Sequence, residues 1–188
     1  MVVSTRTYEQ LALEDPEGEW EMHDGRLVSK RSAMTARHND VMNELGFRLH
    51  GQLKPHEYRV RVNSSRARRS ADHYYIPDVC VVLSALVREL IDRPVLEVYT
   101  SPLPLVVEVW SPSTGDYDVD TKLPEYQRRS DLEIWRIHPF ERALTRWVRQ
   151  PDGSYTSETI THGLVELAAL PSVVIDFDAL FPSWVTPQ

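Results

Sequence analysis

The stretch Pro104-Leu105-Val106-Val107-Glu108-Val109-Trp110 decides the fold class of this chain. It is an almost continuous apolar run, which is typical of a strand buried on both faces of a sheet. Glu108 interrupts the run, and an ionised carboxylate inside a buried strand is costly unless a cation or a solvent path compensates it. The stretch therefore predicts a buried strand that carries a functional acid, or, in the simpler interpretation, an acid at a strand end that reaches solvent.

A second acid stands beside another apolar run. Asp78 follows Pro77 and directly precedes the segment Val79-Cys80-Val81-Val82-Leu83. If the two strands are neighbours, Asp78 and Glu108 can share a hard cation such as Mg²⁺, which prefers oxygen ligands. A Pro-Asp pair taken alone is more often a turn, so this prediction depends on Glu108.

Lys122 is the third residue of this constellation. It follows the loop Ser111-Pro112-Ser113-Thr114-Gly115, which returns the chain from the end of the Glu108 strand, so the helix predicted over 119–129 should begin near that strand end. A lysine in this place can orient a water molecule and offset negative charge in a transition state. The alternative is a solvated helix lysine with acidic neighbours.

Outward from these segments, the pattern predicts a mixed α and β order. Asp24-Gly25 is a strong turn pair and predicts a hairpin over 20–28, whereas 63–73 is predicted to be a polar, arginine-rich loop. Helices are predicted over 7–14, 35–49 and 119–129, and strands over 56–62, 74–83, 103–109, 132–138, 143–149 and 154–161.

The length of 188 residues favours one domain over residues 1–188. The composition, with 41% hydrophobic and 26% charged residues, is typical of a globular chain. No apolar segment reaches signal-peptide or membrane-span length, so we expect a cytoplasmic protein with no membrane partner. The single cysteine, Cys80, excludes an intrachain disulfide framework and a cysteine-rich zinc site. The seven histidines are dispersed without H-x-H or H-E-x-x-H spacing, so no zinc site is predicted.

Charge is distributed unevenly. The formal net charge of −7 argues against a general nucleic-acid coat. Between Arg48 and Arg69, however, the chain has seven Lys or Arg residues and a single acidic residue, Glu57. Such a segment either binds phosphates or is only a solvated loop. The candidate phosphate-binding residues are Arg59, Arg61, Arg66, Arg68 and Arg69.

Taken in order, these segments resemble the Uma-two-type family of restriction-endonuclease-like proteins, which is placed in the PD-(D/E)XK nuclease superfamily. The resemblance runs from about Glu21 to Phe181, which is most of the chain. The matching pieces are the hairpin Glu21–Val28, the helix with His38, Leu45 and Leu49, the segments Ile76–Val82 and Pro104–Thr114, Asp118 with Lys122, and Tyr126 with Glu133–Pro139.

The resemblance implies an α/β fold with a restriction-endonuclease-like central mixed β-sheet, flanking helices and an added C-terminal β-hairpin. It implies Asp78 and Glu108 as metal ligands, Lys122 as the catalytic lysine and Glu21 as an auxiliary acid. His38 fits a core histidine at least as well as a site residue. Mg²⁺ is the expected cofactor, with Mn²⁺ as a substitute.

The chain also departs from the family pattern. In the wider superfamily the lysine stands two residues after the acid, where this chain has Trp110, and Lys122 fits the variant that carries it on the next helix. His23 stands where the family usually has an apolar residue, and His138 replaces a frequent aspartate. Neither change touches the predicted triad.

The function expected from the residues and the resemblance is metal-dependent hydrolysis of phosphodiester bonds, most simply by an endonuclease that acts on DNA as a homodimer. The first alternative is a catalytically silent nuclease-fold module that binds DNA or a protein partner. A sugar hydrolase with a carboxylate pair is a weaker alternative, because it leaves Lys122 and the arginines without a role.

Overall fold

Two β-sheets form the framework of the protein. The computed structural model describes residues 2–30, 34–112 and 117–181, so most of the loop predicted at 111–115 lies outside the described residues. The helices are α1 (Thr5–Glu14), α2 (Ala36–Gln52), α3 (Ser84–Arg88) and α4 (Leu123–Arg128), the last preceded by a π-helical turn over Asp118–Lys122. The strands are β1 (Trp20–His23), β2 (Arg26–Ser29), β3 (Tyr58–Val62), β4 (Arg66–Ser70), β5 (His73–Tyr75), β6 (Val79–Leu83), β7 (Val98–Tyr99), β8 (Leu105–Val109), β9 (Glu133–His138), β10 (Ala143–Arg149), β11 (Tyr155–Ile160), β12 (Leu164–Glu166) and β13 (Val174–Asp176).

The strand predicted around Glu108 lies in the middle of the larger sheet. This six-stranded sheet has the order β11-β10-β9-β8-β6-β3. Strand β8 is buried along its whole length, runs antiparallel to β6 with Val79 opposite Val107, and runs parallel to β9. The apolar run is therefore confirmed as a buried strand, and the strands that carry Asp78 and Glu108 are neighbours.

The smaller sheet is built around the early hairpin and has the order β2-β1-β5-β4-β7. The turn at Asp24-Gly25 is confirmed, with both residues at positive φ (48° and 69°). The prediction of a loop over 63–73 was wrong, because β4 pairs with β5 and β7 there. Its arginines are accommodated because Ala67 enters the core while the longer side chains reach carboxylates and rings of other elements.

The segment 74–83, predicted as a strand interrupted near its start by Pro77, is two strands in two sheets. Strand β5 belongs to the five-stranded sheet and β6 to the six-stranded sheet. The change of sheet falls at Pro77, which has no backbone N–H to donate to a ladder. Asp78 therefore lies at the boundary between the two sheets, and this position makes it available to side chains from both.

Helix α2 covers one face of the larger sheet with Val41, Leu45 and Leu49. Val165 of β12 and Ile175 of β13, from the C-terminal part of the chain, belong to the same core. The opposite face packs against the five-stranded sheet, α3 and α4 through residues such as Tyr75 and Tyr126. The predicted C-terminal hairpin is confirmed as β10 and β11 at the sheet edge. No helix in the described ranges is long and apolar enough to cross a membrane.

Candidate active site

The four predicted site residues lie buried where the two sheets meet. Glu21 belongs to β1, Asp78 precedes β6, Glu108 belongs to β8 and Lys122 ends the π-helical turn before α4. None of them is more than 3% exposed. Burial of this many charges is tolerated only when each charge has partners, so the contacts of each residue decide what the site can do.

Lys122 joins two of the acids. Its Nζ atom lies 3.0 Å from Oε1 of Glu21 and 3.3 Å from Oε1 of Glu108. The hydroxyl of Tyr126 also donates a hydrogen bond of 2.6 Å to Oε1 of Glu108. The structure therefore brings Glu21, Glu108 and Lys122 together from three different elements, of which only that of Glu21 is distant in the sequence.

Glu21 is held by the segment that connects the sheets. The backbone N–H of Ile76 donates a 2.8 Å hydrogen bond to its Oε1 atom, and the hydroxyl of Tyr117 lies 3.5 Å from its Oε2 atom. A carboxylate that accepts backbone and side-chain hydrogen bonds keeps one orientation. Glu21 is thus fixed towards Lys122, and its hydrogen bond with Ile76 links it to the segment that begins two residues before Asp78.

Asp78 is tied directly to the Glu108 strand. Its Oδ2 atom accepts a 2.6 Å hydrogen bond from the backbone N–H of Val109 and lies 3.2 Å from Nε2 of His38. Its Oδ1 atom lies 2.8 Å from Nζ of Lys30. Burial by itself raises the pKa of Asp78, but Lys30 and then His38 outweigh it, so the pKa stays well below its ordinary value of 3.8. The carboxylate is therefore ionised at neutral pH.

Lys30 is a site residue that the sequence analysis missed. Its ammonium group contacts three oxygens: Oδ1 of Asp78, the carbonyl of Ile76 at 2.6 Å and Oδ1 of Asn63 at 2.9 Å. A lysine that follows a short polar strand is ordinarily solvated, so no local pattern indicated this burial. His38 was predicted on the apolar face of its helix, and it is buried there in contact with Asp78.

The donor set suits a hard divalent cation. Glu21, Asp78 and Glu108 supply three carboxylates, against the ammonium groups of Lys30 and Lys122, so the cluster keeps one net negative charge when His38 is neutral. Carboxylate oxygens are the ligands that Mg²⁺ prefers. The residues present therefore fit the cation that the resemblance implies.

Comparison with known proteins shows the family and the fold of this chain. A sequence model of the family described as "Uma2: Putative restriction endonuclease" matches residues 5–179. The chain belongs to the Uma2 family. No curated protein matches it. Among solved structures, it is similar to "a putative nuclease belonging to DUF820" from Anabaena variabilis, with a TM-score of 0.73 and 18% identity over 90% of this chain and 93% of that chain. At this identity the likeness shows the fold, which is the predicted nuclease-like α/β fold.

His138, one of the departures from the Uma2 pattern, contacts Trp110, which stands two residues after Glu108. The rings of Trp110 and His138 are stacked, with centroids 4.3 Å apart and an interplanar angle of 26°. Both residues follow parallel strands, Trp110 after β8 and His138 at the end of β9. Trp110 is thus used for aromatic packing, and Lys122 reaches Glu108 from the π-helical turn before α4.

The five arginines predicted to bind phosphates lie in different environments. Arg61 pairs with Glu97 at 2.6 Å, and Arg69 pairs with the buried Glu125. Arg68 lies 5.0 Å from the ring centre of Tyr74. Arg66 is partly buried on β4, whereas Arg59 is exposed on the edge strand β3. Phosphate binding by these side chains stays a prediction; Arg59 and Arg69 are the exposed ones, and Arg69 is engaged by Glu125.

Proposed function

We propose that this Uma2-family protein is a divalent-metal-dependent endonuclease that hydrolyses phosphodiester bonds of DNA. The observation that carries the proposal is the burial of Glu21, Asp78, Glu108 and Lys122 between the sheets, where Lys122 contacts Glu21 and Glu108 and Asp78 is hydrogen-bonded to the backbone N–H next to Glu108. The family and the nuclease-like fold support the same chemistry. Buried acids beside a lysine are the groups that metal-assisted phosphoryl transfer requires.

In this proposal Asp78 and Glu108 hold the cation, Mg²⁺ or Mn²⁺. When bound, such a cation polarises the scissile phosphate and activates a water molecule. Hydrogen bonds from the protein orient both carboxylates. The Val109 N–H and His38 orient Asp78, and the Tyr126 hydroxyl orients Glu108. Ligands fixed by outer hydrogen bonds need less reorganisation when the cation enters.

Lys122 is the catalytic lysine of the proposal. Its amino group is held between the carboxylates of Glu21 and Glu108. This ammonium group orients the attacking water and offsets the negative charge that develops on the phosphate. Glu21 is a positioning residue in this scheme, because it holds Lys122 while Ile76 N–H holds Glu21.

The same proposal includes DNA as the substrate, a cytoplasmic location and a homodimer. Arg59 and its neighbours would contact phosphates, which supply affinity without sequence information. The net charge of −7 requires that this contact be local, since the molecule as a whole repels a polyanion.

The test combines metal titration by calorimetry with a plasmid-nicking assay. We expect Asp78→Asn to lose Mg²⁺ binding and nicking together, and Lys122→Met to lose nicking by a factor of about 100 or more while it still binds Mg²⁺. Lys54→Met, at an exposed pair with Glu57, is the matched control and should retain both. Light scattering of the same samples gives the oligomeric state.

Two results would count against the proposal. A wild-type protein that binds Mg²⁺ but nicks neither supercoiled nor single-stranded DNA supports the alternative of a silent binding module. A wild-type protein that binds no divalent cation at the acid cluster, with or without DNA, contradicts the metal-dependent mechanism.

A further inference from the structure

Two histidines that are 50 positions apart in the sequence meet at the end of the early hairpin. His23 ends β1 and His73 begins β5, and these strands pair antiparallel with Met22 opposite Tyr74. Their imidazole rings lie 5.1 Å apart. The Nε2 atom of His23 is 3.3 Å from Oδ2 of Asp24, and Nε2 of His73 is 3.0 Å from Oδ1 of the same carboxylate.

The Nδ1 atoms of both histidines contact residues outside this cluster. The Nδ1 atom of His23 lies 2.7 Å from the hydroxyl of Tyr75. The Nδ1 atom of His73 lies 3.0 Å from Oγ of Ser70, and Nη2 of Arg69 lies 2.9 Å from Nδ1 and 3.3 Å from Nε2 of the same ring. Histidines that bind metals almost always donate their second N–H to an outer acceptor, and the hydroxyls of Tyr75 and Ser70 can accept it here. The two Nε2 atoms are thereby directed at one carboxylate.

The backbone fixes the third group as well. Asp24 occupies the left-handed region (φ 48°) in the hairpin turn, and the N–H of Gly25 donates to the carbonyl of Asp72 at 3.0 Å. This hydrogen bond ties the turn to the residue before His73. The Asp24 side chain is 71% exposed and that of His73 is 8% exposed, so the cluster is anchored inside the protein and open to solvent on one side.

Charge at the cluster suits a cation. The Asp24 carboxylate contacts both imidazoles and supplies the negative charge that favours a bound cation. Arg69 is itself paired with the buried Glu125, so its charge is compensated. His23 and Asp24 complete a set of two imidazoles and one carboxylate, which suits Zn²⁺ and other divalent transition metals.

We propose that His23, Asp24 and His73 form a binding site for a divalent transition-metal ion such as Zn²⁺. The ion would link the β1–β2 turn to β5 and leave a coordination position open to solvent. The site differs in chemistry from the acid cluster, because it offers imidazole nitrogens where that cluster offers oxygens. It depends on His23, one of the positions at which this chain departs from the family pattern.

The test is a titration with Zn²⁺ by calorimetry and with Co²⁺ by visible absorption, both in excess Mg²⁺ so that the oxygen sites are filled first. We expect one Zn²⁺ per wild-type chain and a visible Co²⁺ band from a site of low coordination number. Asp24→Asn keeps a residue that tolerates the left-handed backbone, and His23→Leu restores an apolar side chain. Each should weaken Zn²⁺ affinity by a factor of about 10 or more.

The matched control is His56→Leu, because His56 is another histidine beside a carboxylate, 3.4 Å from Glu57, at an exposed position. It should bind Zn²⁺ as the wild type does. No Zn²⁺ binding by the wild type, or equal affinity in wild type, Asp24→Asn and His23→Leu, would overturn the proposal. Since neither Mg²⁺ binding nor DNA cleavage is the readout, the result is independent of the proposed nuclease activity.

Discussion

Lys30 and Asp78 form an ion pair in which both side chains are nearly inaccessible to solvent, at 8% and 2% exposed. Removing one member of a buried pair leaves the other charge without compensation. We expect Lys30→Met to lower the free energy of unfolding by about 3–5 kcal/mol, measured by urea denaturation at pH 7. Lys54→Met, which breaks an exposed pair with Glu57, should cost less than about 1 kcal/mol.

The same variant has a predicted pH signature. In the wild type the pKa of Asp78 is held below its ordinary 3.8, so its ionisation contributes stability that is complete above that value and is lost as the pH falls further. Without Lys30 the folded-state pKa rises towards or above 3.8, so acidification should cost Lys30→Met less stability than it costs the wild type. The double variant Lys30→Met with Asp78→Asn should recover part of the stability. If Lys30→Met and Lys54→Met unfold alike, the pair carries no such stability.

Residues differ in how far the sequence reveals them. Glu108 is conspicuous because it interrupts an apolar run, and its burial follows from that run. The residues around Lys30 give no signal of its burial. Its partners Ile76 and Asp78 lie where the chain passes from β5 in one sheet to β6 in the other, so only the tertiary fold brings them to Lys30. The cluster of His23 and His73 is hidden for the same reason, since the spacing that matters is across strands.

Helix α2 approaches β3 closely at Gly46. A Cβ atom there would lie 2.7 Å from Cγ2 of Val62, whereas a Cβ atom at Gly51 of the same helix meets nothing within 4 Å. Alanine gains up to about 1 kcal/mol of helix propensity over glycine, but overpacking costs about 1–3 kcal/mol. We expect Gly46→Ala to destabilise the protein by about 1 kcal/mol and Gly51→Ala to stabilise it by about 0.5 kcal/mol, measured by denaturant unfolding.

A second substitution separates the clash from other effects at Gly46. In a Val62→Ala background the contact is removed, so Gly46→Ala should become neutral or stabilising there. The stiffness of a β-branched side chain is why Val62 cannot simply turn away. Equal effects of Gly46→Ala in both backgrounds would show that the close approach is not the cause.

Elements whose sequence matches a single burial pattern could be predicted, as β8 and the hairpin of β10 and β11 show. Strand β4 could not, because four of its five residues are polar and its pairing is supported by distant groups such as Glu125. Sequence periodicity measures the two faces of an element, whereas the partners that neutralise its charges belong to the tertiary fold.

For the whole molecule, the question is how a chain of net charge −7 holds a polyanion. Under the proposed function, binding depends on a few exposed cations, and Arg59 on the edge strand β3 is one, whereas Arg61 on the same strand is engaged by Glu97. We expect DNA affinity, measured by anisotropy in the presence of a chelator, to fall steeply with salt. Arg59→Ala should reduce the salt slope by about 1, as expected for one lost phosphate contact.

Arg61→Ala is the internal control for this measurement, because it removes an equal charge from the same strand. If net charge alone governs binding, both variants change affinity and salt slope alike. If a local contact governs it, Arg59→Ala changes the slope, whereas Arg61→Ala acts mainly on stability by exposing Glu97 without its 2.6 Å partner. An unchanged slope for Arg59→Ala would remove this residue from the phosphate-binding surface and leave Arg66 and Arg68 on β4 to account for it.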